Sequence, residues 1–191
     1  VTSITLSHTS LTYNTKTRTP TVTVKDSNGN VLNENTDYTV TYDSGRKNVG
    51  TYNVKVTLKG KYSGSKTLSF KINPADGTNY SYKLSTTSYT YSGGTKTPTA
   101  TVISAGGRTL VKDTDYTVTY ASGRKNVGTY KVTVTLKGNF KGSKTLTFKI
   151  NPADGTNYDY TLSSTSYTYS GGTKTPTVTV VSAGGKTLVK D

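Results

Sequence analysis

Residues 41–80 read TYDSGRKNVGTYNVKVTLKGKYSGSKTLSFKINPADGTNY, and residues 119–158 repeat them without a gap and with seven differences. The offset is 78 residues. A repeat this close to identity restricts the chain to architectures built by stacking one small unit on the next. Any element assigned to one copy must serve in the other.

The repeat has a hairpin pattern at its centre. Tyr130, Val132, Val134 and Leu136 alternate with Lys131, Thr133, Thr135 and Lys137. A Gly-containing turn over 137–142 follows, and then Leu146, Phe148 and Ile150 alternate with Thr145, Thr147 and Lys149. Period-two alternation sends each apolar set to one face of a sheet and each Thr/Lys set to the other. β-branched and aromatic side chains suit such a half-buried pleated surface. Three differences between the copies, Asn53/Lys131, Lys55/Thr133 and Ser69/Thr147, fall on the polar face, while the inward residues are identical.

The composition fits an all-β chain. Of 191 residues, 41 are Thr and 16 are Tyr, and only 30% are hydrophobic. That share is low for a globular protein, but Thr and Tyr supply strand-compatible bulk. Cys is absent, which excludes a disulfide scaffold. No apolar run approaches the roughly 18 residues of a membrane-spanning helix. The chain opens on Val1 without a leader pattern, so it reads as an excised or processed piece. Net charge is +14, with basic residues spread over every repeat on outward strand positions. Spread charge of this kind reads first as a solvated surface and second as a long-range attraction for polyanions.

In chain order the expected units are 1–78, 79–156 and 157–191, the last holding only the first half of a repeat. Each full unit should carry six or seven short strands with turn signals between them, which argues a β-sandwich. In the first unit these strands centre on Ile4 and Leu6, Leu11 and Tyr13, Thr21–Val24, Val31–Leu32, Tyr38–Tyr42, Tyr52–Leu58 and Leu68–Ile72. At Asn151-Pro152-Ala153-Asp154-Gly155, Pro removes a ladder donor and Asp-Gly favours a turn, so a strand should end there and the next unit begin. A short joint limits freedom between units and implies an extended rod. The last 33 residues lie below the roughly 40 that can build a core alone. Phasing the units from Thr36 instead, as 36–113 and 114–191, leaves 1–35 as the orphan; the period alone does not separate the two phases.

Chemistry has little raw material. His8 is the only histidine, so nucleophile–base pairs and zinc sites lack ligands. Asp113 and Asp115 stand two apart before a strand and should point the same way, as turn residues rather than as catalytic acids. Asp76-Gly77-Thr78-Asn79 and its copy lack the dense acids of a calcium loop. Ser92-Gly93-Gly94-Thr95-Lys96 has the wrong spacing for a phosphate loop and reads as a hairpin turn. No metal and no cofactor are expected. The recurrent tyrosines should be core rings with their hydroxyls at the rim. Tyr80 and Tyr158, beside the joints, are the candidates for exposed rings that stack on sugars. Arg46-Lys47 and Arg124-Lys125 are the most concentrated positive charge in each unit: solvated loops first, contacts for anionic polymers second. A Lys–Asn cross-link would need both groups buried with an acid, and the outward lysines argue against it.

The string DYTVTY, followed by NVGTY and VTLKGNFKGSKTLTFKINPA, resembles the tandem immunoglobulin-like repeats of Gram-positive bacterial surface proteins. The likeness covers both full repeats and the start of the third. It implies a secreted, wall-attached protein in which the repeats form a structural stalk that holds a functional tip away from the wall; a module binding glycans or anionic polymers is the alternative. It implies no catalytic residues; the partners to expect are neighbouring repeats of the same chain and, for the binding alternative, host or cell-wall glycans or anionic polymers, with no specific nucleic acid. The positive charge departs from the acidic character of many such stalks, and no wall-sorting motif is present.

Overall fold

The alternating Thr/Val and Lys/Val stretches form the long central hairpins of two repeated sandwiches. A computed structural model describes residues 1 and 3–190, and among these all regular structure is strand. The first unit contains β1 (Ser3–Leu6), β2 (Ser10–Thr12), β3 (Val22–Lys25), β4 (Tyr38–Tyr42), β5 (Gly50–Leu58) and β6 (Ser65–Asn73). In the β5–β6 hairpin Tyr52 lies opposite Phe70 and Val54 opposite Leu68. β4 pairs with the free edge of β5, and β2 adds parallel to the outer edge of β6, giving the order β2-β6-β5-β4. A smaller sheet of β1 and β3, extended by a bridge from Lys25 to Val31, covers one face. Ile4, Val24 and Leu32 from the small sheet meet Tyr38 and Val56 from the large one.

β7 (Ala75–Asp76) follows Pro74, and the second unit then repeats the first. It contains β8 (Ser81–Leu84), β9 (Ser88–Thr90), β10 (Ala100–Ile103), β11 (Tyr116–Tyr120), β12 (Gly128–Leu136), β13 (Phe140–Lys141) and β14 (Ser143–Asn151). Its sheets are β8-β10 and β11-β12-β14-β9. A final sheet, β15 (Asp159–Leu162), β16 (Val178–Val181) and β17 (Thr187–Leu188), corresponds to the small sheet alone. β1, β8 and β15 begin at residues 3, 81 and 159, so both intervals are 78 residues.

Three local features differ from the sequence expectation. Val31–Leu32 is no full strand: Val31 makes an isolated bridge to Lys25, and the Leu32 amide donates to the Val24 carbonyl at 2.9 Å, so only the last two residues of β3 are paired there. β14 ends at Asn151 before Pro152, as expected, and β6 likewise ends at Asn73, but at this first joint the two residues after Pro74 form a separate strand, β7, which pairs away from its own unit. Asp113 and Asp115 do not point the same way. Asp113 takes the left-handed region at φ 65°, which breaks the strand period, so its side chain is exposed while Asp115 is buried.

Tyrosine does much of the work of closing each sandwich. The Tyr42 hydroxyl donates to the Pro20 carbonyl at 2.7 Å, and Tyr120 donates to Pro98 at 2.8 Å. Tyr116 donates to Ala100 at 2.9 Å. Each bond runs from the large sheet to the small one, or to the chain entering it, so one side chain supplies an apolar ring to the core and a donor to the opposite layer. Burial raises the Tyr42 and Tyr116 phenols above their ordinary value of 10.0, so both carry the proton they donate throughout the neutral range.

Tyr120→Phe keeps the ring and removes the donor to a buried carbonyl. Urea unfolding should show the second unit destabilised by about 1–3 kcal/mol. Tyr130→Phe, whose hydroxyl serves an exposed loop carbonyl at Asn126, should cost less. Equal losses for the two variants would remove the bond between sheets as the cause.

Candidate functional site

Few side chains in this chain could do chemistry, and the most densely built feature is the seam between the first and second units. It begins with the backbone. β7 lies parallel to β13, with Ala75 opposite Phe140 and Asp76 opposite Lys141. The Ala75 amide donates to the Asn139 carbonyl and the Gly77 amide to the Lys141 carbonyl, both at 3.0 Å. Asn139 continues the seam: its Oδ1 accepts from the Val49 amide at 2.8 Å, and its Nδ2 donates to Asn48 Oδ1 at 3.1 Å.

Phe140 is the plug. It is buried, with its ring edge-on to Tyr13 at 5.4 Å and to Tyr80 at 6.1 Å. The Arg108 guanidinium sits 5.6 Å from the Phe140 centroid and donates to the Tyr13 hydroxyl and to Asp115 Oδ2, both at 3.2 Å. Asp115 also accepts the Val111 amide at 2.9 Å. A buried carboxylate needs such partners, and Arg108 supplies one while reaching across to the first unit. The apolar cluster is continuous through the seam, running from Tyr13, Val54, Phe70 and Ile72 to Val102, Leu110, Val134 and Leu136. At the rim, Lys141 Nζ lies 3.7 Å from Asp76 Oδ2. The hydroxyl and amide of Thr78, with a smaller contribution from Lys141, hold the Asp76 carboxyl below its usual range.

Gly77 permits this approach. A methyl group there would collide with Leu136 Cδ1 and stand 2.6 Å from the Tyr82 hydroxyl. That hydroxyl donates to the Gly77 carbonyl at 3.0 Å. Beside the plug a groove of about 430 Å³ opens, lined by Tyr13, Asn14, Tyr80, Arg108 and Phe140 among others. Tyr91, Tyr158 and Lys186 line a similar groove of about 390 Å³ at the second joint.

The residues singled out in the sequence sit as follows. Tyr80 and Tyr158 are half-buried rather than exposed, Tyr80 because its ring packs on Phe140; each lines one of the two grooves. Arg46 and Arg124 are not free cations. Each guanidinium lies 5.0 Å from the centroid of Tyr42 or Tyr120 and donates to the carbonyl of Asp43 or Ala121. Their own carbonyls accept the amides of Arg18 and Lys96, which ties down the loop before β3 or β10. Lys47 and Lys125 do project into solvent. The structure does not bring the two Arg-Lys pairs together into one patch: each stays in the loop of its own unit. Lys96 reaches Ser92 Oγ at 2.6 Å across its own turn. Asp76 and Asp154 spend an oxygen on the Thr two residues on, and among the described residues no cluster of three or more acids, His or Cys is placed to hold a metal. His8 is exposed beside Ser7. No lysine is buried among the described residues.

Sequence reasoning missed the seam. Asn139-Phe140-Lys141 read as turn residues, yet a signal existed. Three of the seven differences between the copies fall consecutively here, where the first unit has Lys61-Tyr62-Ser63.

Residues 1–92 match a family model described as the MBG domain, and residues 81–154 match a second model, also described as an MBG domain. This is a β-rich domain associated with bacterial surfaces, so at a coarse level the chain is a bacterial cell-surface repeat protein. No curated protein matches the chain. Among solved structures, domains 4–9 of the surface layer protein SbsC align over 98% of this chain at 19% identity. This chain spans 37% of that one, and the TM-score of 0.28 defines no common overall fold.

Gly77→Ala should force the seam open first, because the added methyl meets Leu136 at the very end of β12 and the Tyr82 hydroxyl, both beside β7. Hydrogen exchange should show faster opening around 75–77 and 139–141 and independent unfolding of the two units. Phe140→Ala should act in the same direction and lower stability by about 3–5 kcal/mol. Unchanged exchange at the seam in both variants would show that it contributes no coupling.

Proposed function

We propose that this chain is a structural spacer: tandem β-sandwich units of a secreted bacterial surface protein that project a functional tip from the cell wall. The seam at Phe140 carries this reading. A spacer must transmit position from one unit to the next, and here backbone pairing, a buried ring and an Arg108–Asp115–Tyr13 network all join successive units. Stability in such an array is the sum of each unit's own term and a nearest-neighbour term. The side-chain inventory suits a non-enzymatic role, and the immunoglobulin-like stalk is the finer form of the same reading. Small-angle scattering tests it. An extended array should give a radius of gyration well above the roughly 16 Å of a globular chain of this length; a globular value would end the spacer reading.

A second reading, a module that binds glycans or anionic polymers, is favoured by one observation. Tyr80 and Arg108 share the groove beside Phe140, where a ring and a cation face the same space. Two modes of binding separate by salt. Attraction by the net charge of +14, with Lys47 and Lys125 at the loop tips, should weaken steeply with ionic strength for any polyanion. Stacking in the groove should discriminate between sugars and persist at about 0.5 M salt, where screening is nearly complete. A titration of heparin, teichoic acid and a neutral glycan at two salt concentrations reads both. Salt-resistant binding to a single neutral sugar, lost in Tyr80→Ala, would replace the spacer with the binding module.

A further inference from the structure

The final sheet presents a face that the same chain covers elsewhere. Residues 159–190 differ from residues 81–112 at six positions only. They keep the local bonds of that segment: Ser163 donates to Thr177 as Ser85 does to Thr99, and Ser182 to Lys186 as Ser104 does to Arg108. The register is also kept, with Leu162 opposite Val178 as Leu84 is opposite Ala100. What differs is the cover. Leu110 is 3% exposed and Leu188 is 44%; Ala100 is 8% exposed and Val178 is 62%. Residues 166–168 correspond to β9, whose only ladder partner is β14, and they form no strand. Exposed apolar surface that is contiguous on one sheet face marks an interaction site.

We infer that residues 155–190 form the accepting half of a sandwich, and that the occupant is a polypeptide segment of the sequence type of residues 114–151. Three observations choose this occupant. That sequence covers the equivalent face in the second unit, and its near-copy 36–73 does so in the first. The saddle of the seam is already set on the accepting side: the Tyr160 hydroxyl donates to the Gly155 carbonyl as Tyr82 does to Gly77. At Gly155 no leucine takes the place that Leu136 holds over Gly77; its nearest neighbours are Tyr160 and Tyr158. The segment would seat a counterpart of Leu136 over Gly155, place a counterpart of Phe140 between Tyr91 and Tyr158, and pair a counterpart of β14 with 166–168. This surface chemistry is independent of the spacer role.

The test adds a synthetic polypeptide of residues 114–154 to the whole chain and reads hydrogen exchange and complex mass. A one-to-one complex is expected, with exchange at 166–168 and 178–181 slowed by about tenfold or more. Leu188→Lys, at an exposed position of the free chain, should weaken capture while exchange in the first two units stays unchanged. A second arm joins the same segment through Asp191, so that self-association of the free peptide does not decide the matter. A third cooperative transition should then appear. Three outcomes would overturn the inference: unchanged exchange in both arms, equal capture of a scrambled segment, or protection of this face by dimerisation of the chain alone.

Discussion

The fold depends on rings that finish in a hydroxyl. A chain that is only 30% hydrophobic cannot close two sheets with aliphatic side chains alone. Tyr38, Tyr42, Tyr116 and Tyr120 fill the space between layers and then satisfy a carbonyl on the far side. Burying that carbonyl without a donor would oppose closure, since an unpaired buried acceptor loses its hydration for nothing. The arrangement also positions the loops. Because Tyr42 and Tyr120 are fixed at both ends, their outer faces are platforms for Arg46 and Arg124, whose carbonyls in turn hold the chain entering the small sheet. A concentrated positive charge in the sequence is thus, for its arginines, part of the closure of each sandwich.

The seam follows the same logic at larger scale. Phe140 adds bulk, while Arg108, Asn139 and Lys141 satisfy polar groups around it, so the first unit's end and the second unit's turn are ordered together. Arg108 is central because it meets groups of both units at once. Where the first unit has Asn30 and the final sheet has Lys186, no equivalent fork spans two units. A planar guanidinium with several donors can bond two partners and still lie on a ring, which an ammonium cannot match.

The central hairpins were legible in the sequence because period-two alternation over nine residues leaves one register that buries Val54 and Val56, or Val132 and Val134. The tyrosine rings were foreseen in the core with their hydroxyls at the rim, but the Tyr116 hydroxyl is instead buried against the Ala100 carbonyl of the opposite sheet. The parallel β2 and β9 edges were not, since three residues carry no period and their partners lie about sixty positions away. Asp113 misled for a local reason: strand parity was extended through a left-handed turn. The half-burial of Tyr80 depends on Phe140, sixty residues later, so no local pattern announces it. The seam was the largest omission. A turn of Asn, Phe and Lys looks like any other polar loop until the neighbouring unit is placed beside it, and only the clustering of differences between copies hinted at a distinct task.

The edge strands carry a mechanical meaning. β2 lies near the start of the first unit and β6 at its end, and the two run side by side in the same direction. Opposite pulls on the ends of the unit therefore slide these strands past each other lengthwise. The bonds from Lys71 to Thr9 and from Tyr13 to Asn73 then share the load together instead of parting one at a time like a zip. β9 and β14 repeat the geometry in the second unit. β7 and β13 are parallel as well, so the junction meets tension in the same lengthwise manner as the units it joins.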